Sequence, residues 1–116
     1  MIYLASPYSH DDPVVCQERY DLVCKAAAML MHSGARVFSP IAHSHHIAEH
    51  IPAATGFNFW QGFDFEMLAT CSLMIILTLD GWASSVGIQA EIAQARLLNI
   101  PVMHLSLTDA TRRAKG

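Results

Sequence analysis

Residues 73–79 read LMIILTL, and they give the strongest local signal of the fold. It is a continuous apolar run, which is typical of a strand in the middle of a parallel sheet whose two faces are both covered. A turn follows at 80–82, and Ile88, Ile92 and Ala95 then recur at helical spacing, which predicts a helix over about 85–98. The residues at 101–105 predict the next strand.

The beginning of the chain predicts two more strands around one helix. Residues 1–5 are a short apolar run, and residues 36–39 form a second short strand. Between them, Asp12 is placed to cap a helix that has Pro13 in its first turn and ends at Gly34.

Three further segments carry weaker signals. Residues 41–56 contain four histidines and are expected to be irregular. Phe59, Phe63 and Met67 then mark one face of another helix. The polar tail from residue 108 onward is expected to fray or to form a short terminal helix.

The order of these elements predicts the α/β class. It runs β-α-β-loop-α-β-α-β, and right-handed crossovers then give a doubly wound, Rossmann- or flavodoxin-like sheet. We expect four mainly parallel strands in the order 2-1-3-4, with helices on both faces. Because the chain has 116 residues, we expect one domain over residues 1–116.

The composition restricts the partners. Hydrophobic residues make up 53% and charged residues 15%, which is more apolar surface than a domain this small readily hides. We therefore expect a homo-oligomer, a dimer or higher, with its interface at residues 57–70 and the histidine-rich segment. The net charge is −3 with seven Lys and Arg, so polymeric DNA or RNA is not an expected partner.

The cysteines and the chain start favour a cytoplasmic protein. The three cysteines form no CxxC pair, which indicates reduced thiols. The chain begins directly with a strand pattern, so we expect no signal peptide. Its longest apolar run is too short to span a bilayer, and no membrane partner is expected.

A ligand site is predicted at the carboxyl ends of the first and third strands. In open parallel sheets, ligands bind where the winding reverses, and these two strands flank that point. The turns that follow them are rich in hydroxyl groups and lead into helix N-termini, which favours an anion or a sugar. No GKS or GKT follows, so this is not a P-loop. The candidate binding residues in the two turns are Ser6, Pro7, Tyr8, Ser9, Asp80, Trp82, Ser85 and Gly87.

Glu91 is the first candidate catalytic residue. It lies four residues after Gly87, so its side chain leans back over that glycine towards the site. We expect the positive helix end to keep the carboxylate ionised. An ionised carboxylate facing a sugar acts as a nucleophile or stabilises an oxocarbenium ion. The alternative is an ordinary solvated glutamate on a helix surface.

Asp64 and Tyr3 are the second and third candidates. Asp64 follows Trp60, a candidate binding residue, by one turn and adjoins Phe63, and a carboxyl beside aromatic rings can have a raised pKa and act as a general acid. The alternative is a surface aspartate. Tyr3 lies inside the first strand, where a buried phenol needs a polar partner. The alternative is a core tyrosine at a strand edge.

The histidine-rich segment permits two interpretations. His46 and His50 are four residues apart, but no cysteine or second ligand pair completes a zinc signature. We therefore expect no metal and a pocket wall or lid instead, with His43 nearest the site and His45 more peripheral. A histidine-dependent metalloenzyme is the alternative.

Three stretches together resemble the nucleoside 2-deoxyribosyltransferase superfamily, which includes nucleoside 5′-monophosphate N-glycosidases. They are the opening IYLASPY at 2–8, DFEML at 64–68 and SVGIQAE at 85–91. The opening, together with SPIAHSH at 39–45, is most similar to a short and largely uncharacterised branch of that superfamily. The chain departs from the transferases in its histidine-rich segment and in its shorter tail.

The resemblance implies an activity and roles for the candidate residues. The chain would cleave the N-glycosidic bond of a nucleoside or a nucleoside 5′-monophosphate, as a hydrolase or a base-exchanging transferase. Glu91 would be the nucleophile, Tyr3 would orient it, and Asp64 would protonate the departing base. No cofactor is implied. The alternative is a non-catalytic module that binds or senses a nucleotide.

Overall fold

The computed structural model describes residues 1–52 and 57–108. Along the chain, the elements are β1 (Ile2–Ala5), α1 (Pro13–His32), β2 (Val37–Phe38), α2 (Pro40–Ala48), α3 (Phe57–Ala69), β3 (Leu73–Leu77), a 3₁₀ turn (Trp82–Ser84), α4 (Val86–Leu97) and β4 (Val102–Leu105). Residues 53–56 of the histidine-rich segment and residues 109–116 of the tail lie outside the described residues.

The four strands form one parallel sheet in the order β2-β1-β3-β4, which confirms the predicted topology. The apolar run at 73–77 is β3, a central strand, and Ile2 to Ala5 of β1 pair with Leu73 to Ile76 position by position. This register places the ends of β1 and β3 side by side.

Helices cover both faces of the sheet. Tyr3 and Ala5 of β1 belong to one hydrophobic cluster, together with residues of α3 and α4. Leu4 belongs to a second cluster on the opposite face, together with residues of α1. Because successive side chains of a strand point to opposite faces, Tyr3 faces the helix that carries Glu91. None of the described helices combines the length and the apolar character needed to cross a membrane.

The prediction of an irregular segment from residue 41 is wrong for residues 41–48, which belong to α2. Ser39 caps this helix, since its Oγ accepts a hydrogen bond from the Ala42 N–H at 3.1 Å, and Pro40 occupies the first turn. Both residues are favourable at a helix start. The histidines and serine of this helix leave it without a long apolar stripe, so helical spacing could not reveal it.

Candidate functional site

A cavity of about 590 Å³ opens at the carboxyl ends of β1 and β3. Its volume lies within the range of small-molecule sites. The turns after these two strands supply part of its wall, and α1, α2, α3 and α4 supply the rest. Of the residues suggested by the sequence, nine line it: Ser6, Pro7, Tyr8, Ser9, Trp60, Asp64, Ser85, Gly87 and Glu91.

Tyr3 is connected to this site by a hydrogen bond to Glu91. The two residues are 88 positions apart, and the buried Tyr3 hydroxyl donates a hydrogen bond to Glu91 Oε2. Ser85 sets the start of α4 because its Oγ accepts from the Ile88 N–H at 3.3 Å. Glu91 therefore lies in the second turn of α4, directly across from β1.

The expectation that the helix end keeps Glu91 ionised is wrong. Only 5% of Glu91 is exposed, and this burial raises the pKa of its carboxyl to about 8. The hydrogen bond from Tyr3 lowers that pKa and the charge of Asp64 raises it, but both effects are smaller than that of burial. Loss of water on burial disfavours the charged form of the carboxyl. At neutral pH the Glu91 carboxyl is therefore mostly protonated.

Asp64 is the second carboxyl of the cavity. It is 8% exposed, and burial raises the pKa of its carboxyl to about 6. Burial also raises the pKa of Tyr3, as do the charges of Glu91 and Asp64, so the phenol keeps its proton and remains a donor. The site thus brings together two acids with different proton affinities and one fixed hydroxyl donor.

Ser6 contributes a polar atom that lacks a partner. Its Oγ is the only buried side-chain oxygen or nitrogen in the described part of the chain without a hydrogen bond, and the residue is 6% exposed. An unpaired buried hydroxyl costs about 1–3 kcal/mol. Because Ser6 lines the cavity, a ligand atom can supply the missing partner.

Arg19 of α1 lines the cavity but was not predicted from the sequence. Its Nη1 donates to the Ser9 carbonyl at 3.0 Å, and its Nη2 donates to the Asp80 carbonyl at 3.0 Å. The guanidinium therefore ties together the turns after β1 and β3. The two contacts span 10 and 61 positions of the chain, so no helical or strand spacing marked this arginine.

His43 does not line the cavity, contrary to the sequence prediction. Its exposed ring stacks on Phe63 instead, with centroids 5.0 Å apart and planes 6° apart. The segment is a helix, and residues three or four apart share one of its faces. The face towards the cavity carries Ile41, Ser44, His45 and Ala48.

Asp80 and Trp82 also lie outside the cavity wall. Asp80 is exposed, and its backbone carbonyl is bonded to Arg19. Trp82 packs against the hydrophobic cluster that contains Tyr3, and its ring meets His104 edge-on at 5.0 Å. The turn after β3 reaches the cavity instead through the residues from Ser84 onward and through Gly81.

His45 is the histidine of α2 that lines the cavity, and aromatic rings hold it in place. Its Nδ1 is 2.7 Å from the Tyr8 hydroxyl. Its ring stacks on Tyr20 with centroids 3.9 Å apart and planes 16° apart. The prediction that His45 is peripheral is wrong, because the helical phase of α2 turns this residue towards the cavity.

One cluster of described residues has the donor types of a metal site. Ligand atoms of His45, His46 and Glu49 lie within 4.8 Å of one another, and His46 Nδ1 is 3.5 Å from Glu49 Oε1. Zinc accepts such donors, but His46 and Glu49 are exposed and already pair with each other. This cluster differs from the His46 and His50 pair considered above, and the expectation of a metal-free segment stays a prediction.

Comparisons with known proteins match the chain to a described family and to a solved structure. Residues 1–107 match the family described as Domain of unknown function (DUF1937). A solved structure of a 2-deoxyribosyltransferase from the psychrotolerant bacterium Bacillus psychrosaccharolyticus matches with a TM-score of 0.62 and 27% identity, over 90% of this chain and 71% of that chain. A search of curated proteins gives no significant match. The structural match confirms the predicted fold class and the predicted resemblance.

Proposed function

Because the chain belongs to the family described as Domain of unknown function (DUF1937), within a nucleoside 2-deoxyribosyltransferase-like superfamily, we propose that it cleaves the N-glycosidic bond of a nucleoside or nucleoside 5′-monophosphate. The observation that carries this proposal is the buried hydrogen bond from Tyr3 to Glu91 beside Asp64, at one cavity. Two carboxyl groups of different proton affinity are the groups that glycosidic cleavage requires.

The proposed reaction begins with Glu91. One carboxylate oxygen forms a bond to the anomeric carbon while the bond to the base nitrogen breaks, and the electron pair leaves with the base. The Asp64 carboxyl gives its proton to the departing base. Water then attacks the anomeric carbon of the glycosyl ester, Asp64 takes a proton from that water, and Glu91 is released as a carboxylate. A second base in place of water makes the reaction a transfer.

The protonation states of the two carboxyls limit this reaction. With pKa values of about 6 for Asp64 and about 8 for Glu91, the pair holds one proton near pH 7, mainly on Glu91. The reaction requires that proton on Asp64. Moving it across a difference of two pKa units costs roughly 3 kcal/mol. We propose that the positive charge developing on the sugar offsets this cost, because it stabilises an ionised Glu91.

The polar groups around the N-terminus of α4 support a substrate with a 5′-phosphate. The first N–H groups of a helix have no partner within the helix and favour an anion. Ser85 lies at this helix start, and the unpaired Ser6 hydroxyl and the Arg19 guanidinium line the same cavity. These are the hydrogen-bond donors that a phosphate accepts from.

A non-catalytic nucleotide-binding module is the second candidate function. The raised pKa of Glu91 favours it, since a protonated carboxyl is not a nucleophile. Such a module would bind a nucleotide in the same cavity and leave the glycosidic bond intact. The two functions therefore differ in turnover, and binding alone does not separate them.

The decisive experiment incubates the purified protein with a panel of nucleosides and 5′-monophosphates and measures free base by chromatography. We expect base release by the wild type and its loss, by a factor of about 100 or more, in Glu91→Gln. The matched control is Glu66→Gln, which changes an exposed glutamate of α3. Equal release by the wild type and Glu91→Gln would reject the nucleophile, and binding without release would favour the sensing module.

A further inference from the structure

The parts of the cavity wall are arranged along the sheet edge in the same order as the strands that precede them. The turn after β3 leads to Ser85 at the start of α4, the Glu91 carboxyl is bonded to Tyr3 of β1, and α2 begins directly after β2. In the sheet, β1 lies between β2 and β3. The helix N-terminus, the carboxyl and α2 therefore follow one another across the sheet edge.

A bound nucleotide would extend along this order. If its 5′ end lies at the start of α4 and its anomeric carbon at Glu91, its base continues towards α2. This placement rests on the proposed function. The polar side chains that α2 presents to the cavity are Ser44 and His45. Among the described residues, His45 is the one of the two that is held by both a side-chain hydrogen bond and a stacked ring.

We propose that His45 selects the base of the substrate by donating a hydrogen bond from Nε2 to an oxo group of that base. The only hydrogen bond of this imidazole among the described residues is the one between Nδ1 and the Tyr8 hydroxyl. Nε2 is the remaining ring nitrogen. Stacking on Tyr20 fixes the ring plane, so the direction of the Nε2–H bond is fixed before a ligand enters.

Tyr8 sets the donor character of Nε2. A phenol O–H is a stronger acid than a neutral imidazole N–H, so the stronger arrangement has Tyr8 donating to Nδ1. The proton of neutral His45 then resides on Nε2. Burial raises the pKa of Tyr8, so the phenol retains the proton that it donates. The pair thus presents a donor, and not an acceptor, to the base.

A fixed donor discriminates between oxo and amino bases. An oxo group at the contacted edge accepts the Nε2–H, whereas an amino group at the same position would place two donors against each other and leave both unpaired. Asp64 is expected to protonate the base near the glycosidic bond, which leaves the edge with the exocyclic group for His45. Inosine and uridine 5′-monophosphates are therefore favoured over adenosine and cytidine 5′-monophosphates.

The test measures binding of these four nucleotides by calorimetry, in ribose and 2′-deoxyribose forms, to Glu91→Gln protein, so that binding is separated from turnover. We expect the oxo member of each pair to bind at least tenfold more tightly. Adding His45→Phe, which keeps a stacking ring, or Tyr8→Phe, which removes one oxygen, should reduce this ratio to about twofold or less. His50→Phe changes an exposed histidine outside the cavity wall and should preserve the ratio.

Each outcome either supports or overturns the proposed role of His45. A ratio that falls in both His45→Phe and Tyr8→Phe supports selection by the donor, while equal weakening of both members of a pair shows a structural role and overturns it. No preference in the parent protein, or a preference for amino bases, also overturns it. If oxo bases bind more tightly but the wild type releases no base, the selection by His45 stands and only the proposed catalysis is rejected. Failure of all four nucleotides to bind would overturn the selection by His45, and base release from the nucleoside panel would then test the catalysis separately.

Discussion

The Nη2 atom of Arg19 occupies the space that a Cβ on Gly81 would need, since the two would lie 2.8 Å apart. Gly81 also has a φ of +92°, a conformation that side chains rarely adopt. The glycine therefore permits both the turn after β3 and the position of the guanidinium that joins this turn to the turn after β1.

Gly81→Ala should weaken ligand binding. The new Cβ forces the end of the Arg19 side chain to shift, which weakens the link that its guanidinium makes between the turns after β1 and β3. We expect a loss of about 1–2 kcal/mol in the free energy of unfolding from the positive φ, and a several-fold loss of nucleotide affinity. The measurements are denaturant unfolding and calorimetric titration.

Gly34→Ala is the matched control for that variant. Gly34 has a φ of +105°, but nothing lies within 4 Å of the added Cβ. It should lose a similar free energy of unfolding and keep the nucleotide affinity. If both variants weaken binding equally, the contact with Arg19 has no role in the site.

The pH dependence of base release should be bell-shaped. Below about pH 6 both Asp64 and Glu91 are protonated and no nucleophile remains, whereas above about pH 8 both are ionised and no acid remains. We expect the maximum of kcat/KM near pH 7. In Asp64→Asn, the remaining activity should keep the rise with pH and lose the alkaline fall. A flat profile from pH 5 to 9 in the wild type would contradict this protonation scheme.

The Glu91→Gln variant should become more stable relative to the wild type as the pH rises. The pKa of Glu91 is about 8 in the folded protein, above its ordinary value of 4.5, so folding of the wild type retains a proton that the unfolded chain releases. The contribution of this carboxyl to stability is present below about pH 4.5 and is lost as the pH rises to about 8. Glutamine has no such dependence.

The difference in free energy of unfolding between Glu91→Gln and the wild type should therefore grow by roughly 3 kcal/mol between pH 5 and pH 8, in favour of the variant. Denaturant unfolding at several pH values measures it. Glu66→Gln, which changes an exposed glutamate of α3, is the control for the loss of one carboxyl group. A constant difference for Glu91→Gln would show that the carboxyl is not strongly perturbed.

The chain should form a homo-oligomer through the face of α3 that carries Phe59 and Phe63. These rings are 50% and 41% exposed, one turn apart on the same helix. Burying them in a second copy removes apolar area from water. Sedimentation should give a mass above 12.8 kDa at micromolar concentration, and Phe59→Ser should lower it. Leu97→Ser, which changes a residue that is 78% exposed on α4, serves as the control.

Much of the fold could be predicted from the sequence because local residue patterns indicate its strands and helices. The apolar run at 73–77 and the helical spacing of Ile88 and Ile92 correspond to β3 and α4. The spacing between Gly87 and Glu91 was enough to bring both to the cavity, since a helix has a fixed pitch.

What sequence reasoning missed depends on packing between distant elements. Burial raises the pKa of Glu91, and burial depends on how distant elements pack, so helix position alone predicted the wrong ionisation. Arg19 acts through two carbonyl groups in other segments, which no spacing records. The phase of α2 decides between His43 and His45, and that phase depends on the cap at Ser39.

The register of β1 against β3 has a consequence for how mutations can act on the site. Tyr3 pairs with Met74, and its neighbour Leu4 points to the opposite face of the sheet. A slip of β1 by one residue would turn Tyr3 towards α1 and leave the Glu91 carboxyl facing an apolar side chain. Substitutions that weaken this strand pairing, even far from the cavity, would therefore remove the Tyr3 contact with Glu91 in a protein that still retains its helices.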